Sequence, residues 1–391
     1  MESLLEGVAP GLLPPITAKE VRRAARTFTA HTAVGPDGWR PRDIALLSDQ
    51  ALAPLAGLFN LAEVAAYPLG ELVDIVFLPK PGGGERPIGL IATLMRLWCR
   101  CRRKYARAWE RANDREYFWA AEARSSEEAV HHQGLTMEAA RARGLFCAAV
   151  LTDLMKAYEH VLHSKLIAFA RDTQFPLGLL RMCIACYAGP RRLIVDGYCT
   201  DPFCIGGKSL IAGCGFATTL LKVYTIKLFD MMWRWYPELS LHVFVDDVDM
   251  NTTADTEEAS FREVANGTQR LLTEFKRVLG LKPGISKCVF LGSTPGIRNR
   301  LAASMAALPR GQRIEVKPWG KKLGIQFSVQ NRRQAALLRH RRHQAGVRAA
   351  RIRTLRAAIP RRARNQIYNS ACRPVATYGG AYWGFPRQRY S

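Results

Sequence analysis

No stretch of this chain stays apolar for the roughly 20 residues that a membrane-spanning helix requires. The start, 1–15, lacks the basic-then-apolar order of a secretory signal. These two absences predict an intracellular protein, in nucleus or cytoplasm, whose 10 cysteines are reduced and mostly buried. Cys183-x-x-Cys186, with Cys199 and Cys204 downstream, has none of the spacings of a common zinc finger. Internal repeats and low-complexity linkers are also missing. The most informative absence is one of charge. No Asp or Glu follows Glu315, and Val316 to Ser391 carries 18 of the Lys and Arg residues in a chain of net charge +24. A block so one-sided is the electrostatic footprint of a polyanion partner, unless it is a basic tail that binds nothing specific. A membrane surface is the weaker alternative, because a long apolar face is lacking there.

What is present is a chain of 391 residues, 48% hydrophobic, enough for two or three subdomains with a substantial core. Thr17 followed by Glu20 is a capping box, predicting a helix over 17–29. Gly35-Pro36-Asp37-Gly38 is a turn by its chemistry. A helix over 48–66 and a strand over 73–78 follow. The strand runs into a Gly- and Pro-rich loop from Pro79 to Ile88, flanked by Lys80 and Arg86. Such a loop suits either a phosphate clamp or an ordinary solvated surface. A basic helix over 94–115 comes next. Ser125, with Glu128 three residues on, caps another towards Arg143.

Phe146 to Leu151 is a continuous apolar run of strand length, and it delivers Asp153 into a helix predicted to reach 171. An acid at the C-terminal end of a buried strand is a usual place for a site residue; capping the helix is its structural alternative. A glycine-rich block, 202–217, opens a helix over 217–236. Leu241, Val243 and Val245 then alternate with His242 and Phe244 as a strand. Asp246 and Asp247 follow, and the β pattern resumes over 248–253, which predicts a hairpin with two carboxylates at its tip. Adjacent carboxylates repel, so they must face water or a cation. A helix over 256–279, a loop and strand carrying Lys287, and a short strand over 322–327 complete this part. From about Arg332, Leu338, Ala345, Ile352 and Ile359 recur every seven residues. They form one stripe on a long Arg-rich helix that Pro360 should end.

Taken in order, these segments resemble the reverse transcriptase domain of a non-LTR (LINE-type) retroelement. The resemblance is carried by Gly35-Pro36-Asp37-Gly38, by Leu78-Pro79-Lys80-Pro81 through Arg86-Pro87-Ile88, and by Asp153-Leu154-Met155-Lys156-Ala157-Tyr158-Glu159-His160-Val161. It continues in Phe244-Val245-Asp246-Asp247, in Gly280-Leu281 to Lys287, and in Lys322-Leu323-Gly324-Ile325. It covers about 34–327. The glycine-rich block departs from the family's Arg-Gln-Gly-Cys-Pro-Leu-Ser. Here Ala212 stands for the Gln and Ala217 for the Ser, while Gly213 and Cys214 remain. Asp249 is a second departure, since the family has an apolar residue near there.

The resemblance implies an α+β polymerase right hand. An N-terminal extension and fingers would occupy 1–145. A palm would occupy 146–328, with a fingers insertion about 166–208, and a basic helical thumb 329–391. It implies nucleotidyl transfer with two Mg²⁺ (or Mn²⁺) ions on Asp153, Asp246 and Asp247, the carbonyl of Leu154 contributing. Lys80, Arg86 and Gly213 would bind the dNTP, and Tyr158 would exclude a 2′-OH. Lys287 would protonate the leaving pyrophosphate, unless it is simply a solvated lysine. Arg339, Arg342, Arg348, Arg353 and Arg356 would track nucleic acid. The partners implied are an RNA template, a DNA primer and dNTP, with no membrane. Oligomeric state is not encoded. The alternatives are a degenerate relic that only binds nucleic acid, and a maturase-like splicing factor with the same fold. No endonuclease segment precedes Val34, and no RNase H or zinc-knuckle pattern follows Phe327, so the chain has the look of one domain of a larger element protein.

Overall fold

The computed structural model describes residues 13–80, 83–306, 312–330, 336–355 and 357–379, and its architecture is α+β. In chain order the main elements are α1 (Ala18–Arg26), α2 (Asp49–Ala65), β1 (Val73–Pro79), β2 (Glu85–Leu90), α3 (Thr93–Ala112), α4 (Ser126–Ala142) and β3 (Phe146–Thr152). There follow α5 (His163–Asp172), α6 (Leu177–Ala188), β4 (Arg191–Val195), β5 (Tyr198–Cys199), α7 (Ala217–Trp235), β6 (Ser240–Phe244), β7 (Asp247–Ala254) and α8 (Glu257–Glu274). The last are β8 (Val289–Gly292), α9 (Pro295–Met305), β9 (Glu315–Lys317), β10 (Gly320–Lys322), β11 (Ile325–Phe327), α10 (Ala336–Thr354) and α11 (Arg361–Ile367). Among the described residues no helix is long and apolar enough to cross a membrane.

The chain divides into two units, each assembled from separated segments. The first is Met1–Asp114, Met155–Met231 and Glu274–Lys282. Its helices start where local chemistry says they should. Thr17 and Glu20 form the expected reciprocal cap of α1, and the Ser48 side chain accepts from Ala51 N at 3.2 Å to cap α2. Arg102 is buried, and Glu63 takes both its guanidinium and the Trp98 indole N–H. A buried charge is tolerable only with such full pairing. The sheet of this unit runs β2-β1-β4-β5, with β1 antiparallel to β2 and parallel to β4. Lys80 N donates to Gly84 O at 2.9 Å, closing the β1–β2 hairpin. Gly83 (φ +89°) and Gly84 (φ +76°) supply left-handed backbone there. Pro81 and Gly82 of this loop lie outside the described residues.

The second unit is Arg115–Leu154, Met232–Thr273 and Pro283–Ser391. Its sheet runs β9-β8-β3-β7-β6, which puts β3 in the middle. That position explains why Cys147 to Leu151 is an unbroken apolar run: both faces are covered. One face packs Cys147, Ala149 and Leu151 against Val130, Met137 and Ala140 of α4 and against Ile325 and Phe327 of β11. The Ser125–Glu128 capping box starts α4 as expected.

Three expectations from pattern are corrected. The helix after Asp153 does not run unbroken to 171. A single turn, Ala157–His160, precedes α5, because Val161 is extended and its carbonyl accepts from Ser209 N at 2.8 Å. The 322–327 strand is a hairpin, β10–β11, turned by Leu323 (φ +46°) and Gly324 (φ +81°). Pro360 does not end the long helix. α10 stops at Thr354, and Pro360, which lacks an N–H, instead caps α11. The heptad stripe is therefore buried only at Leu338 and Ala345.

Candidate active site

The second unit carries the acidic cluster. β6 and β7 pair antiparallel down to Phe244↔Asp247, leaving Val245 and Asp246 as a two-residue turn. Two-residue hairpin turns need positive φ, and Val245 has φ +62°. A β-branched residue there costs roughly 1–3 kcal/mol, a strain concentrated at functional sites. β3 lies beside β7 in the register Leu151↔Asp249 and Thr152↔Val248, so the chain leaves β3 at Asp153 next to that turn. Thr152 Oγ1 donates to Val248 O across the junction. The Asp153 carbonyl accepts from Gly284 N at 2.8 Å, and Lys287 Nζ meets Asp153 Oδ2 at 2.8 Å. The expected residues Asp153, Asp246, Asp247 and Lys287 thus come together, with buried Leu154 directly following Asp153.

The electrostatics follow from this crowding. Burial, then the charges of Asp249, Asp246 and Asp153, push the Asp247 carboxyl up to about 7, and Lys322 only partly offsets them. Burial also raises Asp249, against the lowering effect of Lys322. Asp249 and Lys322 meet at 2.8 Å with side chains 5% and 2% exposed, so this is a fully buried ion pair. Lys322 Nζ also donates to Gln133 Oε1, and Gln133 Nε2 donates to Asn251 Oδ1 at 2.6 Å. Asp247, Asp249 and Asn251 alternate along β7 and so share one face. The sequence marks Asp249 as out of place, but it presents Lys322 only as part of a short strand and of a motif carrying the resemblance, not as a partner for Asp249. The one available signal was Asp249 itself, a charge on a strand with buried neighbours that needs a counter-charge.

Three carboxylates give hard oxygen donors of the kind Mg²⁺ takes, and a crowd of negative charge that a divalent ion would neutralise. Among the described residues, however, no three His, Cys, Asp or Glu side chains form a ready metal cage. Asp153 is engaged by Lys287 instead. That pair is weak, because the Lys287 side chain is 65% exposed. Lys287 can therefore leave Asp153 at little cost.

The other expected residues belong to the first unit. Lys80 and Arg86 are exposed on the β1–β2 hairpin, and Tyr158 is half-buried, its carbonyl accepting from Leu210 N at 2.8 Å. Ala212 O accepts from Gly89 N at 2.6 Å, tying the glycine block to β2. Gly213 has φ +120°, and a Cβ there would sit 2.3 Å from Gly89 O. Gly213→Ala is expected to cost at least about 2 kcal/mol, read as a lowered unfolding midpoint. An unchanged midpoint would contradict this close approach. In the second unit Arg339, Arg342, Arg348 and Arg353 are exposed on α10, with Arg348 donating to Ala371 O at 3.0 Å; Arg356 lies outside the described residues. Cys183 and Cys186 are buried while Cys199 and Cys204 are exposed, so those four do not assemble. Instead, Cys183 and Cys99 hydrogen-bond to Cys214 and draw its pKa down.

The raised Asp247 carboxyl fixes a pH dependence. An acid with a folded pKa above its unfolded value of ~3.9 stabilises the fold below that value, and the stabilisation is lost as pH rises through the folded pKa. With divalent ions chelated, the melting temperature is expected to fall from about pH 4 to about pH 7, and Asp247→Asn to flatten that fall. A melting temperature that climbs over this window would contradict the assignment. In comparison with known proteins, no family model and no curated protein matches this chain.

Proposed function

We propose that the chain is an RNA-directed DNA polymerase, joining the α-phosphate of a dNTP to a primer 3′-OH. One observation carries the reading. Asp153 from the end of the central strand converges with Asp246 and Asp247 of the neighbouring hairpin turn, crowded enough to hold the Asp247 carboxyl at about 7. On this reading the second unit's sheet is a polymerase palm and α10 lies in a basic thumb. Asp153, Asp246 and Asp247 would hold the divalent ions. Bound there, two such ions supply Lewis acidity to the 3′-OH and neutralise charge on the reacting phosphate.

The chain's own side chains do the rest. Lys287 holds a proton at Nζ beside Asp153, within reach of a leaving phosphate oxygen once it lets the carboxylate go. Lys80 and Arg86 bind triphosphate oxygens, Arg86 through its bidentate fork. Tyr158 would disfavour a 2′-OH. Arg339, Arg342, Arg348 and Arg353 grip backbone phosphates without reading sequence. A labelled DNA primer on an RNA template, given dNTPs and Mg²⁺ or Mn²⁺, is expected to extend to full length and to stop with chelator. Absence of extension with either metal would overturn the proposal.

A second reading is a non-catalytic nucleic-acid binder. It is favoured by Ala212 and Ala217 in the glycine block and by Lys287 resting on Asp153. It predicts salt-dependent RNA binding with no extension, unaltered by Asp153→Asn.

A further inference from the structure

α3 carries Arg96, Arg100, Arg103 and Arg107 at steps of four, three and four residues, so they share one face over roughly 16 Å of helix. Arg100, Arg103 and Arg107 are exposed. At the N-terminal end of this row lies a cavity of about 190 Å³, larger than the ~150 Å³ that holds a benzene-sized guest. Arg96, Arg100 and Arg103 line it, together with Phe28, Gly213 and Gly215, and no acid is among its lining residues. Three guanidinium groups on one cavity make it electropositive, which suits an anion.

Two details show that these arginines are held for a purpose beyond surface solubility. The Arg100 guanidinium stands 4.8 Å above the Phe28 ring, a contact that fixes its direction. Arg96 is anchored by Nη1 to Ala33 O and by Nη2 to Thr93 Oγ1, both at 2.8 Å. Its Nε is buried with no hydrogen-bond partner. An orphaned buried donor on a guanidinium is a costly group. Burial destabilises the Arg96 charge, and Asp37 is its counter-charge. Gly213 and Gly215, which also line it, carry no side chain into the cavity.

We infer that this cavity and the arginine row continuing to Arg107 form a seat for the phosphodiester backbone of a nucleic-acid single strand, distinct from the arginines of α10. A free phosphate would use the cavity alone; a strand uses the row as well, which is why the row selects the strand. The inference rests on the nucleic-acid chemistry proposed above but not on catalysis.

The test measures binding of a labelled single-stranded RNA to the full chain by fluorescence anisotropy, from about 50 to 200 mM NaCl. Arg100→Gln/Arg103→Gln is expected to weaken binding and to reduce the slope of log K against log salt by about 1.4, at ~0.7 per phosphate contact on a single strand. Arg100→Lys/Arg103→Lys should keep most of that slope, and both variants should melt within a few degrees of wild type, since the side chains are exposed. Affinity and slope unchanged in the Gln variant would overturn the seat. Inorganic phosphate that raises the wild-type melting temperature, with RNA affinity equal in wild type and the Gln variant, would assign a free-phosphate pocket and equally overturn it. Repeating the titration in Asp246→Asn separates the two proposals: binding there is expected to match wild type whether or not wild type extends a primer.

Discussion

Lys322→Met is expected to destabilise the protein by about 3–5 kcal/mol, the cost of leaving one partner of a buried ion pair uncompensated. Asp249 is 5% exposed and has no water to turn to, and it already stands among Asp247, Asp246 and Asp153. Removing Lys322 also strips the donor from the buried Gln133 Oε1. The double variant Asp249→Leu/Lys322→Met removes both charges. It is expected to lie within about 2 kcal/mol of wild type, since paired burial of charge is seldom better than apolar packing, and Gln133 alone remains short of a partner. Urea unfolding of wild type, both single variants and the double variant measures this. A single variant costing under about 1 kcal/mol, or a double as unstable as the single, would refute the counterweight role of Lys322.

Asp153→Asn and Asp246→Asn are each expected to lower primer extension by roughly 10³-fold, while RNA affinity stays within about twofold. Each keeps shape and hydrogen-bonding capacity but loses the charge proposed to hold a divalent ion. Asp247→Asn should cost less, because a carboxyl held near 7 is only partly ionised at neutral pH. It should also shift the pH dependence of extension. Loss of RNA binding in parallel with extension would mean that the carboxylates serve folding, and the site assignment would fall.

Local chemistry was legible wherever neighbours in sequence decide the outcome. Thr17 with Glu20, and Ser125 with Glu128, give capping boxes because the partners are three residues apart. The β6–β7 hairpin was legible for the same reason, as was the apolar run of β3. The hairpin's tip was not: the turn is Val245-Asp246, and Asp247, expected beside Asp246 at the tip, already pairs with Phe244 in β7. Features set by distant partners were not. Val161 breaks a helix because residues 207–209 claim its backbone. β1 pairs in parallel with β4, more than a hundred residues on, which no alternation in either strand announces. Lys322 was overlooked as the partner of Asp249 because burial on facing strands, and not spacing, makes them a pair. Pro360 could equally end one helix or begin the next, and the break at Thr354 decided between them.

The central claim is that Asp153, Asp246 and Asp247 gather divalent ions for nucleotidyl transfer. The most direct measurement is single-nucleotide incorporation onto one primed RNA template, by wild type and Asp246→Asn at matched template occupancy, across a Mg²⁺ titration. Wild type is expected to show metal-dependent incorporation that Asp246→Asn lacks at every Mg²⁺ concentration. Equal incorporation by the two proteins, or none by wild type at any concentration, would contradict it.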